Sequence, residues 1–135
     1  MNILRKSLRG VITNGTARGQ RVSVEFVWER QHPLIVQARY SLPDSPSWVI
    51  GRDLMANGLR EKSGEGSVTV APGPVSRGLL LTVRGVGGSL TVFFPGGITD
   101  MGNFLTATYR KVLLPHHDIA ADLERELAKI FRDAA

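Results

Sequence analysis

Leu34-Ile-Val-Gln-Ala-Arg-Tyr-Ser-Leu42, Pro43-Asp-Ser-Pro-Ser47, Trp48-Val-Ile50 and Gly51-Arg-Asp-Leu-Met-Ala-Asn-Gly-Leu59 run consecutively, and their reading decides the fold. Leu34, Val36, Ala38, Tyr40 and Leu42 fall on one face of a two-residue period, with Gln37, Arg39 and Ser41 on the other. That alternation predicts a half-buried strand. The Pro/Asp/Ser run predicts a turn, Trp48–Ile50 a short strand, and Gly51–Leu59 a short helix with Leu54, Met55 and Leu59 on one side. Arg52 and Asp53 occupy its first turn, and Gly58 stands where a left-handed C-cap is wanted. A strand that passes directly into a helix fixes how the helix lies on the sheet, and so where the core forms.

Working outward, Leu8-Arg-Gly-Val-Ile-Thr13 reads as a strand and Asn14-Gly15 as a turn. Arg21–Trp28 alternates, with Val22, Val24 and Phe26 facing one way, and Pro33 forces an extended entry to the next strand. After the polar loop Arg60–Gly66, Ser67–Ala71 alternates again. Gly78–Arg84 is denser, the pattern of a strand buried on both faces. Gly85-Val-Gly-Gly88 reads as a hairpin turn, and Ser89–Phe94 returns the chain. Ile98, Met101, Leu105, Thr108 and Val112 then recur with a helical period, with Thr99 as N-cap. Beyond Pro115, Ile119, Leu123, Leu127, Ile130 and Phe131 mark a second helix that starts near Asp118. The expected architecture is one α+β domain over residues 1–135. It has two antiparallel β-meanders separated by a short helix, with two C-terminal helices. Open sheet edges predict a homo-oligomer.

The chain has 135 residues, 42% hydrophobic and 21% charged, which suits one globular domain with a real core. It has no cysteine, which excludes disulfide scaffolds, thiol nucleophiles and thiolate metal sites and fits a reducing cytoplasm. The basic N-terminus lacks an apolar signal-peptide core, and no run is long enough to span a membrane. Net charge is +5, unevenly spread. Residues 1–30 carry six bases against Glu25 and Glu29, whereas residues 115–135 carry five acids against three bases.

No pattern carries enzyme chemistry. There is no phosphate-binding Gly-Lys-Ser/Thr loop and no nucleophile elbow. His116-His117-Asp118 reads as a helix cap and loop rather than a metal site, since adjacent residues at a helix start point apart. No cofactor is expected. Two residue sets remain. Trp48, Arg52 and Asp53 read either as a partner-contacting motif or as a structural one, a local ion pair or cap with Trp48 anchoring the core. Arg5, Lys6, Arg9, Arg18, Arg21 and Arg39 read as a surface for an acidic protein or a nucleic acid, or as a solvated face. Phe26, Trp28 and Tyr40 lie among these bases and read either as stacking groups for single-stranded nucleic acid or, for most of them, as core residues.

Val36-Gln-Ala38, Ser47-Trp-Val-Ile-Gly-Arg-Asp-Leu-Met55, Gly58-Leu59, Gly64-Glu-Gly66-Ser-Val-Thr-Val70 and Pro72 resemble, in order and spacing, the SsgA/SsgB-like sporulation and cell-division proteins of actinobacteria. The resemblance continues more weakly through Phe104-Leu105, Pro115, His117 and Leu123–Leu127. Residues 1–20 have no clear counterpart. His32-Pro-Leu34, Ile50-Gly51 and Ser67 depart from the family's Asp-Pro-Tyr, Phe-Ala and Asp. The resemblance implies a non-enzymatic regulator, cytoplasmic or at the cell septum, that helps select septum sites and recruit the division machinery, FtsZ or its partners. It also implies a Whirly-like fold and a homotrimer. The alternative is a single-stranded nucleic-acid-binding protein of that fold.

Overall fold

The computed structural model describes residues 2–75, 77–85 and 87–113. Its elements are β1 (Ile3–Ile12), β2 (Arg21–Glu29), β3 (Ile35–Tyr40), β4 (Trp48–Gly51), α1 (Arg52–Gly58), β5 (Val68–Pro72), β6 (Leu79–Gly85), β7 (Gly88–Phe94) and α2 (Gly97–Leu113). The strand, turn, strand and helix expected over residues 34–59 are all present. Both meanders form, but they are not separate sheets. β1 pairs antiparallel with β7 through Val11↔Phe93 and Ile12↔Val92, which fuses them into one seven-stranded sheet of order β4-β3-β2-β1-β7-β6-β5. The joining pair links the first strand to the last, a non-local contact that no local pattern announces.

One face of the sheet builds the core. Ile12, Val24, Phe26, Trp28, Val36, Ala38, Ile50, Val70, Leu79, Leu81, Val92 and Phe94 are buried on it. Met55 of α1 and Met101, Phe104 and Leu105 of α2 close over them. Phe26 and Phe94 meet edge to face, with ring centroids 6.0 Å apart. α1 leaves β4, at one end of the sheet, and packs on β5, at the other. A single short helix therefore gathers both ends of the sheet around one core. The outer edge of β5 is covered as well: Ser63 and Val70 exchange main-chain hydrogen bonds of 2.8 and 2.9 Å.

Four local expectations change. β1 begins at Ile3 rather than Leu8. Gly58 is not a left-handed cap: it lies within α1, and the C-cap is Leu59 in right-handed conformation. Glycine is needed there because a β carbon would collide with the Val70 side chain and come 2.9 Å from its carbonyl oxygen. β6 is buried on one face only, with Leu79, Leu81 and Val83 inside and Leu80 and Thr82 partly open. α2 begins at Gly97, and the Thr99 hydroxyl accepts from Arg77 Nε at 2.9 Å instead of capping the helix. The second C-terminal helix and His116-His117-Asp118 lie outside the described residues.

Candidate protein-contact surface

The antiparallel register sorts the outer face of β1, β2, β3 and β4 into cross-strand rows. Arg5, Val27, Gln37 and Val49 form one row; Ser7, Glu25 and Arg39 form the next. Arg9 lies opposite Ser23, and Val11 opposite Arg21. Glu25 accepts from Arg5 Nη1 at 3.3 Å and lies 3.9 Å from Arg39 Nη1. Such exposed pairs contribute only about 0–1 kcal/mol, so they arrange charge more than they hold the fold. Arg9 and Arg21 have no ion pair among the described residues. With Ser23, Ser41 and Pro95 they line a concavity of about 510 Å³ in this face.

Exposed apolar side chains adjoin the charged rows. Ile3, Ile35 and Val49 are 39%, 37% and 56% exposed, and strand parity puts all three on the outer face. Val27, beneath them in the same face, is buried. Aliphatic stems of the flanking Arg5 and Gln37 suit that cover. A basic, partly apolar face is chemistry for meeting another protein's surface.

The sequence-derived candidates divide between this face and other places. Arg5, Arg9, Arg21 and Arg39 come together on it. Arg18 lies in the β1–β2 loop. Lys6, of opposite strand parity, borders a depression against α2 with Asp100 and Asn103. Arg52 is fully buried, with its guanidinium carbon 4.1 Å from the Tyr109 ring centroid. A side chain without accessible surface does not itself touch a partner, so its visible work is to join α1 to α2. Asp53 is half-buried beside it, and Trp48 is half-buried against the core.

The aromatics considered for nucleic-acid stacking are core residues. Phe26 and Trp28 have no exposed area, and Tyr40 has 8%. Trp28 Nε1 donates to the Pro33 carbonyl at 3.1 Å, which satisfies its one polar group inside. Burial pushes the Tyr40 hydroxyl pKa well above its ordinary value. Sequence reasoning passed over Ile3, Ile35, Val49, Ser23 and Ser41. The available signal was strand parity once β1 is started at Ile3. Among the described residues no cluster of three His, Asp or Glu side chains is placed to hold a metal, and no helix is long and apolar enough to cross a membrane.

Comparison with known proteins matches residues 22–116 to the family described as "Streptomyces sporulation and cell division protein, SsgA". Two solved structures share the fold. One comes from work on SsgB mutations that correlate to longitudinal cell division during sporulation of Streptomyces coelicolor. It is 21% identical, with a TM-score of 0.71 over 82% of this chain and 88% of that one. The other is an SsgA-like sporulation-specific cell division protein from Thermobifida fusca, 17% identical, with a TM-score of 0.70 over 94% of each chain. No curated protein sequence matches the chain.

Proposed function

The chain belongs to the SsgA family of sporulation and cell division proteins, and from that premise we propose that it regulates sporulation-specific division without catalysis, through protein contacts made by the outer face of its sheet. The observation that carries this reading is the exposed face itself, where Arg9 and Arg21 flank a concavity at one end of the strands and Ile3, Ile35 and Val49 are exposed toward the other. In the proposed role the protein helps select the septum site and recruits the division machinery, FtsZ or an FtsZ partner. It works in the cytoplasm and at the septum as a homotrimer. Exposed apolar area on the outer face supports self-association.

Co-sedimentation with assembled FtsZ tests recruitment. Pelleting with the polymer, weakened by Arg9→Glu/Arg21→Glu, supports it. A protein that stays in the supernatant with FtsZ and with every purified division protein contradicts it. Light scattering at micromolar concentration tests the assembly, and a monomeric mass removes the trimer from the proposal. The nucleic-acid alternative has no observation in its favour beyond charge, because the aromatics it needs are in the core.

A further inference from the structure

β1 is ten residues long, yet it pairs with β7 only at Val11 and Ile12. The register shows why pairing stops there. Val11↔Phe93 places Pro95 opposite Arg9, and proline has no N–H to continue a ladder. The rest of β1 is bonded on one side, to β2. Even-numbered positions face β2, as the 2.8 Å bond from Arg30 N to Asn2 O shows. Alternation along an antiparallel ladder then turns the main-chain N–H and C=O of Arg5, Ser7 and Arg9 the other way. The same odd parity is engaged with β7 further on, where Thr13 N donates to Thr91 O at 2.9 Å. Among the described residues nothing bonds the main chain of Arg5, Ser7 or Arg9 on that side. All three are exposed. An unpaired strand edge thus opens inside the sheet order, not at its rim.

The edge is flanked by space. Toward one end lies a depression of about 250 Å³ between β1 and α2, bordered by Arg5, Lys6, Asp100, Asn103 and Phe104. Toward the other lies the concavity of Arg9 and Arg21. We propose that this edge of β1 receives an extended acidic segment of a partner protein as an added strand. Alternating donors and acceptors on the edge match a peptide main chain, whereas a phosphodiester only accepts. Arg5 and Arg9 share the outer face at strand spacing, so acidic side chains on the outer face of the added strand meet them. Its other side chains face α2 near Phe104, where apolar residues fit. The proposal depends on the protein-contact reading only in making the occupant a protein. Its failure leaves the localisation and FtsZ experiments untouched.

The test uses full-length protein and a short fluorescein-labelled peptide alternating Asp and Val. Companion probes are the same peptide N-methylated at alternate residues and an oligothymidylate of equal charge. The expected result is binding of the first peptide by anisotropy, with amide exchange at Arg5, Ser7 and Arg9 slowed. N-methylation should weaken binding about tenfold or more, and Arg5→Ala/Arg9→Ala about tenfold. Ser7→Pro should abolish binding while circular dichroism stays native, because the Ser7 N–H is not part of the β2 ladder; if that variant unfolds, the N-methyl comparison still decides. The proposal is overturned by no peptide binding, by equal binding of the N-methylated peptide, or by oligothymidylate binding as tightly. Exchange protection that appears without peptide and grows with protein concentration also overturns it, since a second copy would then fill the edge.

Discussion

Replacing Gly58 by alanine should destabilise the protein, although helix propensity alone says the reverse. In an exposed helix interior, Gly→Ala gains about 1 kcal/mol. At Gly58 the new methyl would lie 2.5 Å from Val70 Cβ and 2.9 Å from the Val70 carbonyl oxygen, besides striking Val70 Cγ1. Two of these atoms are backbone or next to it, in a buried strand, and cannot swing aside. Overpacking of this kind costs about 1–3 kcal/mol, and here it acts where α1 is held against β5. Because these atoms cannot yield, the cost should lie in the upper part of that range, about 2–3 kcal/mol, and less the propensity gain of about 1 kcal/mol the net loss should be about 1–2 kcal/mol. With a urea slope of about 2 kcal/mol/M, the midpoint falls by about 0.5–1 M. Gly102 in α2 is the internal control: its nearest neighbour for an added β carbon is Leu59 Cδ1 at 3.8 Å. Gly102→Ala should therefore raise the midpoint, gaining about 0.5–1 kcal/mol. Urea unfolding followed by circular dichroism measures both. If Gly58→Ala matches or exceeds wild type, the close approach of α1 to β5 is wrong, and with it the account of how the sheet ends are gathered.

Three further outcomes follow from buried groups. Tyr109→Leu removes the ring under the Arg52 guanidinium and should cost about 1–2 kcal/mol in thermal unfolding, while leaving partner binding by the folded fraction unchanged. Trp48→Phe leaves fully buried Trp28 as the one fluorophore of its kind, so emission should shift to the blue and resist acrylamide; an exposed spectrum would refute the core placement. Because burial raises the Tyr40 pKa, the folded state keeps a proton that the unfolded chain releases. That contribution to stability is complete below about pH 10 and is lost as pH rises above it. Tyr40→Phe should flatten this alkaline decline.

Much of the fold was legible because its patterns are local. Residues 34–59 alternate and then turn helical within one stretch, and Ile98–Leu113 repeats at helical spacing. The illegible parts are non-local. Nothing near Val11 says that Phe93 lies beside it, so the fusion of two meanders could not be read. The glycine at position 58 looks like a cap until Val70 is seen behind it. Leu79-Leu-Leu81 looks buried on both faces, yet Leu80 lies on the open side of the sheet. β1 hid its first half behind Arg5 and Lys6, charges that suit an exposed edge and weaken a strand signal. At the candidate surface, the arginines were visible as a basic N-terminal third. Which of them share a face depended on where β1 begins, and the burial of Arg52 depended on Tyr109, far along the chain.

On the proposal made above, the outer face of the sheet carries the division role. The most direct measurement is the position of a fluorescent fusion in sporulating cells that make the protein, for wild type and for Arg9→Glu/Arg21→Glu with its fold verified by circular dichroism. The account predicts wild-type fluorescence at septa and diffuse fluorescence for the charge-reversed variant. Equal septal localisation of both, or no septal localisation of wild type, would contradict it.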